Sequence, residues 1–276
     1  MTERYLGQAR KLDSRLESPV QYRLQLGEHS VPLNPMIGRE LRLRFTGTIV
    51  CINCGKTTNK SFSQGYCFRC FQKLPECDTC VMSPELCHYE AGTCRNAVWG
   101  DHFCMQDHIV YFANSSGLKV GITRASQVPT RWIDQGATQA LAVLRVRSRH
   151  QAGLCEAMFR RHITDRTNWR NMLRGEQEAV DLCAERDRLL QECANELDDF
   201  RHRYGLHAFN VINGVEPVNI SYPVERYPEK INSLDFDKTP EIGGVLQGIK
   251  GQYLVLDQGV LNIRKYTGYE LELLSA

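Results

Sequence analysis

Apolar and polar residues alternate in short segments near the start of the chain. Leu41, Leu43 and Phe45 alternate with charged neighbours in the period-two pattern of a half-buried strand. Residues 1–17 instead have the composition of a helix. These patterns predict that residues 1–50 contain an N-terminal helix followed by β structure.

A second pattern of short apolar runs, turn residues and helix signals begins after His108. Ser126 can cap a helix, Pro129 suits its first turn, and Gly136 can end it. The predicted elements are strands near 109–113, 118–123 and 140–146, and helices near 126–136 and 153–163. Residues 107–174 are therefore predicted to form a small core with the order β-β-α-β-α.

The remaining segments differ from this core in periodicity and charge. Residues 171–204 have helical apolar spacing and predict one long helix, whose section 175–200 carries nine acidic residues. Residues 207–276 contain short apolar runs separated by Gly, Pro and Asp, which predict several strands. Neither terminal β segment looks self-sufficient, so we expect 207–276 to pair with 18–50 in a β-barrel-like unit.

The predicted fold class is thus α+β, in five parts. They are the N-terminal helix and β segment (1–50), a cysteine-rich region (51–106), the β-β-α-β-α core (107–174), the long acidic helix (175–206) and the C-terminal β segment (207–276).

Composition adds an expected location to this organisation. Hydrophobic residues make up 42% of the chain and charged residues 24%, as in globular domains. The sequence contains no run of about 18 apolar residues that could span a membrane. Its start also lacks the apolar stretch of a secretory signal. We therefore expect a cytoplasmic protein without a membrane partner, in which cysteines bind metal more often than they form disulfides.

The first four cysteines have the spacing of a structural zinc site. Cys51 and Cys54 form one Cys-x2-Cys knuckle, and Cys67 and Cys70 form another, twelve residues later. Each knuckle presents two thiolates on one tight turn, so two knuckles complete a tetrahedral shell. The alternative, a set of buried free cysteines, is much rarer at this spacing. The pattern predicts a closed zinc ribbon.

A second cluster of cysteines and histidines follows directly and predicts a second zinc site. The favoured ligands are Cys77, Cys80, Cys87 and Cys94. Three further residues could replace one of them: His88, Cys104 and His108. Cys104 could equally be a small buried residue, and His108 a residue at the mouth of the following strand. Both zinc sites are predicted to be structural, since a four-cysteine shell leaves no open position for water.

An arginine-rich block surrounds Glu156 in the sequence. Residues 141–174 contain eight arginines and two acids. The arginines that we expect to contact nucleic acid are Arg145, Arg147, Arg149, Arg160 and Arg161. Such a block would supply salt-dependent attraction to phosphate, although a generic solvated surface is the alternative.

The core also resembles the GIY-YIG endonuclease superfamily. The resemblance lies in Ile109-Val110-Tyr111 on the first strand, Lys119-Val120-Gly121 on the second and Arg131 on the following helix, and it covers about 109–173. The whole chain also resembles an uncharacterised bacterial family in which a cysteine-rich ribbon precedes such a core. The resemblance implies a catalytic set of Tyr111, Lys119, Arg131, Glu156 and Asn168.

In this interpretation the family residues have distinct roles. Tyr111 positions or deprotonates a water, Arg131 holds phosphate, and Glu156 binds Mg²⁺. Two residues depart from the family pattern: Lys119 replaces the second-strand tyrosine, and Gln135 replaces a histidine or tyrosine that can transfer a proton. Tyr111 could instead be a packing aromatic, and Glu156 a surface residue paired with Arg160.

Three functions follow from these observations. The leading prediction is a Mg²⁺-dependent nuclease acting on DNA or RNA. The second is a zinc-containing protein that binds nucleic acid or ribonucleoprotein and retains the nuclease fold without turnover. The third, protein assembly through the ribbons, depends only on the acidic helix.

Overall fold

A computed structural model describes residues 3–175 and 178–275. The strands are β1 (Glu3–Gln8), β2 (Asp13–Arg15), β3 (Gln21–Leu26), β4 (His29–Pro32), β5 (Glu40–Ile49), β6 (His108–Asn114), β7 (Leu118–Arg124), β8 (Gln139–Val146), β9 (Phe209–Val211), β10 (Val218–Asn219), β11 (Glu241–Lys250), β12 (Tyr253–Leu256), β13 (Gly259–Asn262) and β14 (Tyr269–Ser275). The α-helices are α1 (Phe68–Lys73), α2 (Thr79–Met82), α3 (Ala97–Phe103), α4 (Thr130–Asp134), α5 (Arg149–Phe159), α6 (Trp169–Arg174), α7 (Leu182–Glu192) and α8 (Ala194–Tyr204). The chain is a mixed α+β protein, as its sequence predicts.

Strands from the two ends of the chain lie in one antiparallel sheet. Its six strands have the order β1-β14-β5-β11-β12-β13. The central strand β5 pairs Leu43 with Leu273 of β14 on one side and with Ile242 of β11 on the other. Leu41 and Leu43 are buried and their charged neighbours Glu40, Arg42 and Arg44 are exposed, so the predicted half-buried strand is confirmed. The described strands form no closed barrel, so the predicted barrel-like shape is wrong.

The predicted N-terminal helix is wrong for the residues that the structure describes. Residues 3–8 form β1, which pairs along its length with β14, and residues 13–15 form β2 in a small sheet with β3 and β4. Residues 1 and 2 lie outside the described residues. Helical propensity is weak, and the ladder of hydrogen bonds offered by β14 outweighs it.

The central sheet carries the β-β-α-β-α core. Its strand order is β10-β8-β6-β7, with β9 also paired to β8. The order β6, β7, α4, β8, α5 is the one that the hydrophobic pattern predicts. Alternate residues of β6 enter different hydrophobic clusters: Tyr111 joins the cluster shared with the terminal β segments, whereas Val110 and Phe112 join the cluster beneath α5, α7 and α8. The core is therefore covered on both faces.

Two helices begin or end away from the predicted positions. Ser148 caps α5 through a bond from the Gln151 amide, so this helix begins four residues before Gly153. Ser126 lies in a short 3₁₀ helix rather than at a cap, and α4 begins after Pro129.

The predicted long acidic helix is wrong as a single element. Its residues form α6, α7 and α8 within the described part of the chain, and its positions 176 and 177 lie outside that part. Gly175 ends α6 with a left-handed φ of 74°, and Cys193 separates α7 from α8. Asp181 caps α7 by accepting bonds from two amides. Local capping therefore divides a segment whose apolar spacing is continuous.

The cysteine-rich region has little hydrophobic core of its own. Among the described residues, the three hydrophobic clusters contain none between Cys51 and Cys104. The region contacts the core through α5, where a Cβ on Gly153 would lie 2.6 Å from the Glu85 amide nitrogen. No helix in 3–175 or 178–275 is both long and apolar enough to cross a membrane.

Candidate functional site

The four cysteines of the first predicted site converge. The sulfur atoms of Cys51, Cys54, Cys67 and Cys70 all lie within 4.8 Å of one another. The Cys54 and Cys67 sulfurs are 3.8 Å apart. That separation is far too long for a disulfide, but it is the edge of a tetrahedron whose centre is about 2.3 Å from each sulfur, the usual Zn–S distance. The donor set therefore fits a zinc ion.

Backbone geometry holds the two knuckles in this arrangement. The first knuckle turns through Gly55, whose φ is 69° and whose amide donates to the Cys51 carbonyl oxygen at 2.9 Å. The second knuckle begins α1, and the Ile52 amide donates to the Gly65 carbonyl oxygen to join the two. Burial raises the pKa of Cys51, but nearby backbone amides outweigh it and lower this pKa to about 6, which favours the thiolate.

The second cluster assembles a different set of donors from the predicted one. Donor atoms of Asp78, Cys80 and His88 lie within 4.8 Å of one another. Asp78 is buried and is also 2.8 Å from Arg95 Nε, while His88 Nδ1 lies 2.8 Å from the Thr93 hydroxyl. Burial raises the pKa of Cys80 to about 11, with the Asp78 and Cys87 charges adding to it. Of the four predicted ligands, this group contains Cys80.

The other candidates for the second site lie in varied surroundings. Burial raises the pKa of Cys77, and a hydrogen bond with Ser63 of the ribbon opposes this rise. Cys94 Sγ is 3.4 Å from the Asn96 carbonyl oxygen. Cys104 is buried, and its carbonyl oxygen accepts a bond from the Arg149 amide. The predicted set of Cys77, Cys80, Cys87 and Cys94 stays a prediction.

His108 occupies a structural position at the start of β6. It is fully buried, and its Nδ1 is 2.7 Å from the Gln106 carbonyl oxygen. Burial lowers the pKa of His108 to about 4, so the imidazole is neutral at physiological pH. The residue matches the alternative of a histidine at the mouth of the strand.

Tyr111 of the predicted catalytic set lies on β6. Its side chain is fully buried, and its hydroxyl donates to Gln135 Oε1 at 2.8 Å. Gly121 on β7 makes room for it, because a Cβ there would lie 2.6 Å from the phenol oxygen. Burial raises the pKa of Tyr111 to about 12, although the Arg131 charge opposes this rise. The phenol is therefore neutral and well positioned rather than basic.

Lys119 projects into the same region from β7. It is almost fully buried, and its Nζ donates to the Thr167 hydroxyl at 3.0 Å. Burial and the Arg131 charge lower the pKa of Lys119 to about 8, while the Glu156 charge opposes this shift. Because Arg131 and Glu156 also act on the pKa of Tyr111, the four residues share one electrostatic environment.

Glu156 is a half-buried carboxylate on α5 without an ion pair among the described residues. Burial raises the pKa of Glu156 to about 7, and the Asp165 charge adds to the shift. Arg160 does not pair with Glu156, since its guanidinium contacts Asp165 at 3.3 Å and Glu85 at 3.4 Å. The surface-pair alternative for Glu156 is therefore wrong, and its carboxylate is free to bind a cation.

Asn168 has a structural role in this arrangement. Its side-chain oxygen accepts bonds from the Arg170 and Asn171 amides, which makes it the N-cap of α6. The backbone amide of Asn168 donates to the Ser116 hydroxyl at 2.8 Å. Asn168 thus fixes the loop that carries Thr167 against the β6–β7 turn.

The five predicted phosphate-binding arginines divide into paired and unpaired side chains. Arg145 contacts Asp107 at 3.4 Å, and Arg161 contacts Glu196 at 2.7 Å. Arg149 is half-buried and donates to the Val81 carbonyl oxygen at 2.6 Å, which joins α5 to the cysteine-rich region. Arg160 forms the two pairs described above, whereas Arg147 is exposed. Most of this positive charge is matched within the chain.

Three residues of these sites were missed by the sequence analysis. Asp78 lies inside the Cys77-x2-Cys80 knuckle and Thr167 precedes Asn168, but single polar residues within or beside a motif carry no signal of their own. Asp165 was visible only as one of two acids within the arginine block. Thr167 acquires its role through Lys119, which is distant in sequence.

The comparisons with known proteins identify a family but no activity. A family model described as "Protein of unknown function (DUF2797)" matches residues 38–271, so the chain belongs to that family. Searches of curated proteins and of solved structures found no significant match. The match spans the ribbon, the central sheet and most of the C-terminal strands.

Proposed function

We propose that this DUF2797 protein is a Mg²⁺-dependent nuclease of the GIY-YIG type. The observation that carries the proposal is the shared environment of Tyr111, Lys119, Arg131 and Glu156, which come from β6, β7, α4 and α5. Shifted pKa values concentrate where catalytic groups are buried together. The substrate class is DNA or RNA, since no base-reading module indicates which.

The chemistry of Glu156 fits a magnesium ion. Mg²⁺ binds through one or two carboxylates and keeps most of its waters, and Asp165 is close enough to raise the pKa of Glu156. The ion would stabilise charge on the scissile phosphate and favour ionisation of a bound water. Its positive charge would also reverse the effect of burial and keep Glu156 ionised.

The other residues bind and position the substrate. Arg131 on α4 supplies a charged, planar donor for phosphate oxygens, and Lys119 on β7 adds a second cation. Tyr111 has a raised pKa, so it orients a water through its hydroxyl rather than removing a proton from it. Gln135 accepts a hydrogen bond from Tyr111 and holds that hydroxyl in place.

The cysteine sites serve as scaffolding in this proposal. The ribbon site binds one structural zinc through Cys51, Cys54, Cys67 and Cys70. A second zinc lies near Cys80, where Asp78 and His88 offer the nearest additional donors. Loss of the second zinc on Cys80→Ser and on His88→Ala, but not on Cys77→Ser, would support this donor set. Loss on Cys77→Ser but not on His88→Ala would instead support the four-cysteine set.

A cleavage assay tests the nuclease proposal. Labelled single- and double-stranded DNA and RNA would be incubated with Mg²⁺ and with wild type, Glu156→Gln or Glu196→Ala. We expect cleavage by wild type and by the Glu196 variant, whose carboxylate lies on α8, and a loss of at least 100-fold in the Glu156 variant. Equal cleavage by all three proteins would refute the role of Glu156.

One observation favours a second function, namely nucleic-acid binding without turnover. The Tyr111 hydroxyl is enclosed by the protein, whereas a group that activates water must reach one. Binding of the same oligonucleotides without Mg²⁺-dependent cleavage by wild type would support this function over the first.

A further inference from the structure

A further arginine reaches the candidate site from the C-terminal segment. Arg264 lies on the 3₁₀ helix Ile263–Tyr266, between β13 and β14. Its side chain is half-buried, and its Nε donates to Gln64 Oε1 at 2.5 Å. Gln64 lies in the turn between Phe62 and Tyr66, whose backbones are hydrogen-bonded to each other, just before the second cysteine knuckle of the ribbon. Arg264 therefore connects the C-terminal segment to the ribbon.

Hydrogen bonds also place this short helix beside α4. The Ile263 amide donates to the Gln252 carbonyl oxygen at 3.0 Å, and Gln252 Nε2 donates to Asp134 Oδ1 at 2.9 Å. Asp134 is the last residue of α4, one turn after Arg131. Arg264 and Arg131 are thus carried by elements joined through a single glutamine.

Asp134 is the acid whose charge acts on Arg264. Burial lowers the pKa of Arg264, and the charge of Arg131 lowers it further, with Asp134 acting in the opposite direction. Asp134 is already engaged, since its Oδ2 lies 2.8 Å from Lys11 Nζ and its Oδ1 accepts from Gln252. Two neighbouring guanidinium groups in a partly buried place repel each other unless an anion lies between them.

We propose that Arg264 and Arg131 together bind one phosphate group of the nucleic-acid backbone. This inference rests on the proposed nucleic-acid substrate, but not on its cleavage. Guanidinium groups suit this task because their planar donors match phosphate oxygens. The binding site is then shared: the core supplies Arg131, the C-terminal segment supplies Arg264, and the ribbon orients Arg264 through Gln64.

The test measures binding in the absence of Mg²⁺. A fluorescein-labelled DNA oligonucleotide and the RNA of the same sequence would be titrated with wild type, Arg264→Ala, Arg264→Lys and Lys265→Ala, at several salt concentrations. Lys265 is the matched control, because it is the next cation of the same short helix and faces Asp235 at 2.9 Å. Gln64→Ala removes the hydrogen bond between Arg264 and the ribbon and keeps the charges of Arg264 and Arg131.

We expect Arg264→Ala to weaken binding about tenfold at low salt and to reduce the slope of log K against log salt by about one. Arg264→Lys should recover part of the affinity and the full slope, and Lys265→Ala should stay within about twofold of wild type. A structural role alone would lower the melting temperature without changing the salt slope. If Arg264→Ala does not fold, Arg264→Gln, which can still bond Gln64, takes its place.

The outcomes separate this inference from the nuclease proposal. An unchanged salt slope in Arg264→Ala, or no binding by wild type, would overturn the shared phosphate site. Binding that depends on Arg264, together with no cleavage when Mg²⁺ is added, would support the phosphate site and reject the nuclease.

Discussion

The charge state of Glu156 links the fold to the proposed chemistry. A carboxylate with a folded pKa of about 7 and an ordinary value of 4.5 binds more protons in the folded than in the unfolded state between these pH values. Its contribution to stability is therefore complete below about pH 4.5 and is lost as the pH rises through 7. The ionisation of Glu156 therefore lowers the stability of the fold at the position where we propose that Mg²⁺ binds.

Glu156→Gln should accordingly stabilise the protein at alkaline pH. We expect the variant to exceed wild type by about 2 kcal/mol in the free energy of unfolding at pH 8, and by much less at pH 5.5. Urea denaturation at both pH values, without added Mg²⁺, measures the difference. Added Mg²⁺ should then stabilise wild type but not the variant. A difference that does not change with pH would contradict the raised pKa.

The ribbon cysteines should behave as metal ligands rather than as buried thiols. Cys54→Ser should release one zinc ion per chain and expose the ribbon to protease, since metal replaces the missing core there. Elemental analysis of the purified proteins gives the stoichiometry. Cys183→Ser, a half-buried thiol on α7, is the control and should retain all of the zinc. Equal zinc content in both variants would argue against the site.

Helix α5 joins three parts of the molecule. It carries Glu156 into the candidate site, packs Phe159 against Phe112 of β6, and approaches the cysteine-rich region at Gly153. The close approach requires a residue without a side chain, because a Cβ at Gly153 would lie 2.6 Å from Glu85 N and Pro84 Cβ. The contact fixes α5, and with it Glu156, against the cysteine-rich region.

Gly153→Ala should therefore destabilise the protein, which reverses the usual effect of alanine in a helix. Alanine normally gains about 1 kcal/mol over glycine at such positions, but here the clash should produce a net loss of about 2 kcal/mol. Ala157→Gly on the same helix is the control, with an ordinary loss of about 1 kcal/mol. Thermal unfolding measures both. A higher melting temperature for Gly153→Ala would show that Pro84 and Glu85 move away easily.

The six-stranded sheet makes the two ends of the chain depend on each other. Strand β5 lies between β14 and β11, so its backbone groups are paired on both sides by strands from the far end of the sequence. Unpaired backbone groups are costly to bury, and an isolated hairpin is marginal in water. The N-terminal segment should consequently have little structure without the C-terminal strands.

Truncation after Asp237 tests this dependence. Removing β11 to β14 should leave residues 40–49 open to protease and to rapid amide exchange, because β5 would lose both neighbours. Limited proteolysis with mass spectrometry, compared with the full chain, locates the exposed sites. Continued protection of 40–49 would mean that the N-terminal segment folds by itself.

The sequence alone determined the features that depend on neighbouring residues. The spacing of Cys51, Cys54, Cys67 and Cys70 is sufficient for a chelating shell, because each knuckle is one local turn. The alternation at Leu41 and Leu43 and the order of the core elements were predictable for the same reason. The lack of a hydrophobic core in the cysteine-rich region also follows from composition.

Tertiary structure decided whatever depends on residues far apart in the chain. The pairing of β1 with β14 converted a segment of helical composition into a strand. Lys119 came to bond Thr167, and the short helix that carries Arg264 came to lie beside α4 through Gln252, in contacts without a sequence signature. Periodicity records which face of an element is buried, whereas only packing determines what covers that face.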